Sequence, residues 1–109
     1  MNKEILQKAI DTYGINAQLD MCIEEMSELT KAICKYKRVI AQLKDKVSVT
    51  AEEAKKVSES VDNIAEETAD VLIMLEQMKM IFGTSIIEQQ TEHKVKRLAE
   101  RLGINYETN

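Results

Sequence analysis

Two short segments of the sequence carry acidic side chains among aliphatic residues, at a spacing that suits a metal site. Residues 23–29 read IEEMSEL, and residues 64–75 read IAEETADVLIML. In both segments an acid is followed, three residues later, by a second acid. Residues three apart lie on the same side of a helix. If both segments are helical, each therefore presents a pair of carboxylates on one side.

The inner acid of each pair lies within an apolar helix face. On a helical wheel, Glu25 shares its face with aliphatic and sulfur side chains, and so does Glu67. The second acids, Glu28 and Asp70, fall at the matching edge of each face. An isolated buried carboxylate costs several kcal/mol unless a cation or hydrogen bonds compensate it. The two inner acids therefore require a partner.

Acid pairs three residues apart are also common on solvated helix faces. Glu24, Glu66 and Glu76 lie off the apolar faces and fit that interpretation. Glu25 and Glu67 do not fit it, because they interrupt an apolar pattern.

A divalent cation is the partner that this pattern favours. Neither apolar face carries a lysine or arginine beside its acid. Converging carboxylates without a cation repel one another and raise their own pKa values. All-oxygen ligation favours Mg²⁺, with Mn²⁺ as the alternative. We expect the two segments to face each other and hold such an ion between four acids: Glu25, Glu28, Glu67 and Asp70.

Two other kinds of metal site fit the sequence less well. Di-iron helical bundles use Glu-x-x-His on two helices, whereas the single histidine, His93, is far from both acidic segments. Zinc sites use cysteine or histidine ligands at short spacing. Cys22 and Cys34 are twelve residues apart on one predicted helix, about 18 Å, which is too far for a disulfide. We expect both to be free core thiols in a reducing cytoplasm.

Composition predicts an all-α protein. The 109 residues contain no proline and three glycines, with 44% hydrophobic and 31% charged residues. This length suits one domain spanning residues 1–109. A net charge of −4 argues against a nucleic-acid partner. The sequence has no run of about 18 apolar residues, so no membrane span is expected. The first residues lack the apolar core of a signal peptide. We expect a cytoplasmic protein with no membrane partner.

Glycines predict where the first two helices end or begin. The first helix is expected from an Asn2 cap to Tyr13, with Gly14 at its C-terminal cap. The second is expected from a cap at Asn16 to about Leu43. The tail, residues 104–109, is expected to be frayed or to lie on the surface.

The region of residues 44–60 is open to two interpretations. Residues 44–49 are the least periodic part of the chain. Thr50 and Glu53 have the spacing of a capping box, which predicts a third helix from 51 to 82. That helix either runs unbroken or is interrupted near residues 58–60.

A second capping-box pattern, Ser85 with Glu88, predicts the start of a fourth helix. That helix is expected to end at Leu102, with Gly103 beyond it. The predicted architecture is therefore a bundle of four to five helices.

The acidic motifs resemble those of a known family. Glu24-Glu25-x-x-Glu28, followed downstream by Glu67-x-x-Asp70, looks like the pattern of the MazG-like all-α nucleoside triphosphate pyrophosphohydrolases. The resemblance extends from about Gln18 to Arg101. The spacer between the two motifs is longer here than is typical.

The resemblance implies a Mg²⁺-dependent hydrolase that splits a nucleoside triphosphate into the monophosphate and pyrophosphate. It implies the same four metal ligands and a supporting role for Glu24, such as orienting water. It also implies phosphate contacts from basic residues on the last helix, for which Lys94 and Arg97 are the candidates. Lysine or arginine near a helix C-terminus also suits the helix dipole. Base stacking would fall to Tyr13, Tyr36 or Phe82, although an aromatic residue on an apolar face is more often part of a core.

Assembly and two rival functions complete the predictions. Ile73 and Met80 lie opposite the main apolar face of the third helix, so we expect a second partner there, such as another subunit in a homodimer or a dimer of dimers. One rival function is phosphoribosyl-ATP pyrophosphohydrolase, which acts on the same class of bond. The other is a non-enzymatic helical interaction module.

Overall fold

Four α-helices account for most of the chain in a computed structural model, which describes residues 1–106. They are α1 (Lys3–Tyr13), α2 (Ile15–Gln42), α3 (Ala51–Phe82) and α4 (Thr84–Arg101). No strand occurs within the described residues, so the all-α prediction is confirmed. None of these helices is both long and apolar enough to cross a membrane.

The chain divides into two compact units. The first is Met1–Gln77, which contains α1, α2 and most of α3. The second begins at Met78 and contains the end of α3 and all of α4. Whether residues 1–109 form one functional domain stays a prediction.

The start of α1 is capped as the sequence predicted. The side chain of Asn2 accepts hydrogen bonds from the backbone N–H groups of Glu4 and Ile5, at 3.0 and 3.3 Å. This cap satisfies two of the donors that a helix leaves unpaired at its first turn. Gly14 ends the helix with a φ of 88°, a conformation that glycine adopts without steric cost.

The predicted cap at Asn16 is wrong. α2 begins at Ile15, so Gly14 alone joins the first two helices and serves as the N-terminal cap of α2 without a side-chain hydrogen bond. Asn16 is therefore inside the first turn of α2 and exposed. The single glycine is enough because it adopts the left-handed region that turns the chain.

The third helix is continuous. Thr50 Oγ1 accepts from the N–H of Glu53, and a carboxylate oxygen of Glu53 accepts from the N–H of Thr50, both at 3.1 Å. The predicted capping box is thus confirmed, and Lys46 adds an ion pair to Glu53. The alternative of a break near residues 58–60 is wrong, because α3 runs unbroken through them; the buried hydroxyl of Ser60 donates to the carbonyl of Val57 within the helix.

The predicted capping box of α4 is wrong, although the helix itself is present. It begins at Thr84, immediately after Gly83, and no side chain caps it. Ser85 and Glu88 are both exposed, and Glu88 instead lies 3.9 Å from the ammonium of Lys79. With Gly83 acting as the cap, the helix starts two residues too early for Ser85 to occupy the cap position.

The C-terminus of α4 forms a Schellman motif. The N–H of Ile104 donates to the carbonyl of Ala99 at 2.8 Å, and the N–H of Gly103 donates to that of Glu100 at 3.1 Å. Gly103 has a φ of 70°. Part of the predicted tail is held in place, because the hydroxyl of Tyr106 donates to a carboxylate oxygen of Glu92 at 2.6 Å. Residues 107–109 of that prediction lie outside the described part of the chain.

α2 and α3 run antiparallel within the first unit. Gln18 of α2 donates a hydrogen bond to Gln77 of α3 at 2.7 Å. Seven residues further along α2, Glu25 meets Asp70, which lies seven residues earlier on α3. The matching counts in opposite directions show the antiparallel register, with two helical turns between the pairs.

Few large side chains are fully enclosed. The buried apolar residues of the first unit are Leu6, Ile10, Cys22, Ala32, Val71 and Met74. Cys34 is exposed, so its predicted place in the core is wrong, and both cysteines are free as expected. Leu75 and Phe82, which lie within about 80° of Glu67 around α3 and so share its apolar face, are 43% and 58% exposed. The wheel assumes that an apolar face is covered along its whole length, and this one is not.

Candidate metal centre

Three carboxylates from α2 and α3 converge in the first unit. Glu25, Glu67 and Asp70 each offer one oxygen atom, and these atoms all lie within 4.8 Å of one another. Asp70 lies one turn after Glu67 on α3, and the antiparallel register brings Glu25 of α2 to the same level. All three side chains are half-buried.

The environment of Glu25 disfavours its ionised form. Burial raises the pKa of Glu25, and the charges of Asp70, Glu67 and Glu24 raise it further. A hydrogen bond between the carboxyl groups of Glu25 and Asp70 acts in the same direction, because it favours the protonated form of Glu25. At neutral pH, ionisation of this cluster therefore opposes folding.

The environment of Glu67 also disfavours its ionised form. Burial raises the pKa of Glu67, followed by the charges of Asp70, Glu28 and Glu66. Every charge that shifts the pKa of Glu25 or Glu67 within the described chain belongs to another carboxylate.

Glu28 lies at the margin of this cluster. It is half-buried and close enough to raise the pKa of Glu67, but it does not join the three mutually close carboxylates. One of its oxygens lies 3.5 Å from the ammonium of Lys31, three residues on along α2. The lysine side chain is 75% exposed, so this ion pair holds Glu28 only weakly.

The donor set fits a hard divalent cation. Carboxylate oxygens are the ligands that Mg²⁺ and Mn²⁺ prefer, and mutual repulsion among them is relieved when a cation is bound. Three carboxylates are brought together, and Glu28 is one helical turn from Glu25 on the same side of α2. Glu24 is exposed and contributes charge to Glu25 rather than a fourth converging oxygen.

The predicted phosphate contacts lie in the second unit. Lys94 and Arg97 are exposed on α4 and line a pocket of about 340 Å³ together with Arg101. None of these three cations forms an ion pair with any other described residue. The sequence prediction missed Arg101, although its spacing of seven residues from Lys94 places both on one side of the helix.

A buried amide pair was also missed. Gln18 and Gln77 are 6% and 2% exposed, and they satisfy each other across α2 and α3. Their spacing contained a signal, since Gln18 lies seven residues before Glu25 and Gln77 lies seven residues after Asp70. Each amide is thus on the same face as the acid of its own helix.

The aromatic candidates for base stacking differ in exposure. Tyr13 is 67% exposed and lines a pocket with Gln18, whereas Tyr36 is half-buried. Phe82, at the end of α3, is exposed in the second unit.

Comparison of the chain with protein-family models, with curated proteins and with solved structures finds no match in any of the three.

Proposed function

We propose that this protein is a Mg²⁺-dependent nucleoside triphosphate pyrophosphohydrolase of the MazG-like type, converting a triphosphate and water to the monophosphate and pyrophosphate. The observation that carries the proposal is the convergence of Glu25, Glu67 and Asp70 from two antiparallel helices. Those acids belong to the two sequence motifs that resemble this family. All three acids are half-buried, which supports a metal site over a solvated acid pair.

In this proposal Glu25, Glu28, Glu67 and Asp70 hold the metal. A bound Mg²⁺ would supply Lewis-acid polarisation of phosphate oxygens and a lowered pKa for a coordinated water. The protein's own contribution is the half-buried carboxylate cluster that two helices bring together. Half-burial also lowers the local dielectric and strengthens the electrostatic interactions of these acids.

Two other groups of residues act on water and on phosphate. Glu24, exposed beside the cluster, orients the attacking water by accepting a hydrogen bond from it. Lys94 and Arg97 offset the charge of the phosphates, and their role is supported by the pocket on α4 that they line together with Arg101. Arginine suits this role because its planar guanidinium can bind two phosphate oxygens at once.

We also propose that the protein is a homo-oligomer, either a dimer or a dimer of dimers. Leu72 and Ile73 of α3 are 53% and 40% exposed, while Met80 further along is half-buried. Large aliphatic side chains that stay this exposed on a helix favour a further packing partner. A second copy of the chain supplies one without any other component.

A substrate panel tests the proposal. Purified protein is incubated with Mg²⁺ and each dNTP, each NTP and phosphoribosyl-ATP, and pyrophosphate release is measured. We expect turnover of at least one nucleoside triphosphate, a loss of at least about 100-fold in Glu67→Gln, and unchanged turnover in the matched variant Asp62→Asn. Asp62 is an exposed acid on the same helix.

The other outcomes assign a different function. Turnover of phosphoribosyl-ATP alone would replace the proposed substrate with that of the related enzyme. No turnover of any compound, together with no rise in melting temperature on adding Mg²⁺, would overturn the enzymatic proposal in favour of a helical interaction module.

A further inference from the structure

A second pocket lies in the same unit as the carboxylate cluster. It is lined by Tyr13 at the end of α1 and by Ala17, Gln18 and Met21 in the first turns of α2. We call these four residues the amide pocket. Its cavity volume is about 330 Å³, at the small end of the range for small-molecule sites. This size suits a single ring system better than a protein segment.

The amide pocket is aligned with the metal cluster. Gln18 lies seven residues before Glu25 on α2, which places the two side chains within about 20° of each other around the helix. The same spacing separates them by about 10 Å along the helix axis. A ligand that extends along this face of α2 would reach both the cluster and the pocket.

The polar group in the pocket is held in a fixed orientation. The Gln18 side-chain N–H donates to the carbonyl oxygen of Gln77 at 2.7 Å, and both residues are almost fully buried. A glutamine amide has two N–H groups and one carbonyl oxygen, so Gln18 keeps one donor and its acceptor for another partner. Gln77 thus positions an adjacent donor and acceptor at the pocket.

The rest of the lining is suited to a flat ring. Tyr13 is 67% exposed, so its ring is accessible to a ligand and is not part of the core. Met21 is 40% exposed and supplies a flexible, polarisable side chain that adapts to a ligand's outline. Proteins recognise unpaired bases by this combination of an aromatic surface and hydrogen bonds to the base edge.

We propose that the amide pocket binds a planar nitrogen heterocycle, namely the base of the substrate, with Tyr13 against the ring and Gln18 hydrogen-bonded to its edge. Gln77 is a positioning residue that acts through Gln18. This inference rests on the proposed function for the identity of the ligand as a nucleotide. It adds the site of base recognition, which the acidic motifs do not specify.

The pocket sets the base preference through Gln18. A base edge that offers the complementary acceptor and donor pairs with both free groups of this amide, whereas a mismatched edge leaves a buried polar group unpaired. Sites built to hydrogen-bond a ligand reject the wrong one strongly for that reason. Replacing Gln18 with leucine therefore reduces the difference in affinity between bases.

Binding of phosphate-free nucleosides tests the pocket directly. The probes are adenosine, guanosine, cytidine and uridine, added separately to ¹⁵N-labelled full-length protein without a divalent metal. We expect at least one nucleoside to shift the side-chain amide signals of Gln18 and Gln77 in a saturable manner. If no nucleoside shifts these signals, or if the shifts fall only elsewhere in the chain, the proposal is overturned.

Variants separate base recognition from a structural effect. Gln18→Leu and Tyr13→Leu should each weaken binding of the preferred nucleoside by at least about 10-fold, the range of one lost hydrogen bond or stacking contact. Tyr13→Phe should retain binding, and the exposed Gln89→Leu on α4 serves as the control. Because Tyr13 is mostly exposed, its variants stay informative even if a change at Gln18 prevents folding.

The positioning role of Gln77 has its own readout. Gln77→Leu should change the ratio of affinities among the four nucleosides, because the Gln18 amide is then free to rotate. A uniform loss of affinity with an unchanged ratio would show a purely structural role and contradict the assignment.

Failure of the pocket is distinguishable from failure of the enzyme. Triphosphate turnover whose base preference is the same in wild type, Gln18→Leu and Tyr13→Leu would overturn the pocket and leave the proposed function standing. Nucleoside binding at Gln18 and Gln77 without turnover of any triphosphate would support the pocket and count against the hydrolase.

Discussion

One carboxylate oxygen of Glu25 on α2 lies within 4.8 Å of one of Asp70 on α3, two helical turns from the amide hydrogen bond that joins Gln18 to Gln77. One antiparallel register produces both pairs. An acid pair and an amide pair on the same two faces place a charged site and a polar, uncharged site side by side. Both pairs therefore use the same face of α2.

The carboxylate cluster predicts an unusual pH dependence of stability in the absence of metal. The pKa values of Glu25 and Glu67 are raised above the ordinary 4.5, so the folded chain binds these protons more tightly than the unfolded chain. The resulting stabilisation is present below about pH 4.5 and is lost as pH rises through the raised values.

Melting temperature in the presence of a chelator measures this effect. The double variant Glu25→Gln/Glu67→Gln should match wild type near pH 4 and melt at a higher temperature above that pH, with a gap that grows and then levels off. Asp62→Asn should show no such gap. A double variant that melts below wild type at neutral pH would refute the predicted repulsion.

The capping box of α3 predicts the opposite pH dependence. A hydrogen bond from Lys46 and a backbone hydrogen bond from Thr50 lower the pKa of Glu53 to about 2. The stabilisation from ionised Glu53 is therefore complete above its ordinary value of 4.5 and is lost as pH falls towards 2. Glu53→Gln should remove this acid-side loss in urea unfolding curves recorded between pH 2 and pH 6.

The same box predicts a specific difference between two hydroxyl residues. Thr50→Ala should lower the free energy of unfolding by about 1 kcal/mol, the usual value of an N-cap. Ser85→Ala should change it by less than about 0.5 kcal/mol, because Ser85 is exposed and caps nothing. Equal losses in the two variants by urea denaturation would contradict the observed caps.

The basic pocket of α4 predicts a kinetic effect. Lys94→Gln/Arg97→Gln should raise the KM for the triphosphate substrate by about 10-fold or more, since each removes a charge-assisted hydrogen bond to phosphate. Lys96 is exposed and lies about 200° from Lys94 and about 100° from Arg97 around α4, so Lys96→Gln is the matched control and should change KM less than about 2-fold. A similar change in both proteins would argue against a specific phosphate site.

If the exposed aliphatic residues of α3 form the contact between subunits, a charge placed there should weaken the oligomer. Ile73→Glu should shift the protein towards the monomer in light scattering coupled to size exclusion, because a charge at a packed apolar contact is strongly unfavourable. Ile73→Val keeps the apolar character and should retain the wild-type mass. A wild-type protein that is monomeric at all concentrations would contradict the proposed oligomer.

Sequence reasoning predicted the elements well because glycines and caps act locally. Gly14 and Gly83 lie immediately beyond a helix end, Gly103 lies two residues beyond one, and Thr50 with Glu53 forms the predicted box. The predicted Ser85 cap was wrong because Gly83 starts α4 earlier. The capping pattern alone does not show which of two nearby residues occupies the cap position. The helix boundaries are thus encoded within a few residues.

The pairing of residues between helices was harder to predict from the sequence. The wheel placed Glu25 and Glu67 on inward faces, but it could not give the register between α2 and α3, which depends on packing between segments distant in the sequence. It therefore missed the Gln18–Gln77 pair. It also treated Cys34 as a core thiol, because periodicity does not show how far along a helix other elements pack against its apolar face.

Binding of Mg²⁺ and Mn²⁺ by isothermal titration calorimetry tests the metal site most directly. We expect saturable binding by wild type and by Asp62→Asn, accompanied by a rise in melting temperature, and a loss of affinity of at least about 10-fold in Glu67→Gln. Equal binding by wild type and Glu67→Gln, or no binding by wild type, would contradict the claim that the converging carboxylates of α2 and α3 hold a divalent cation.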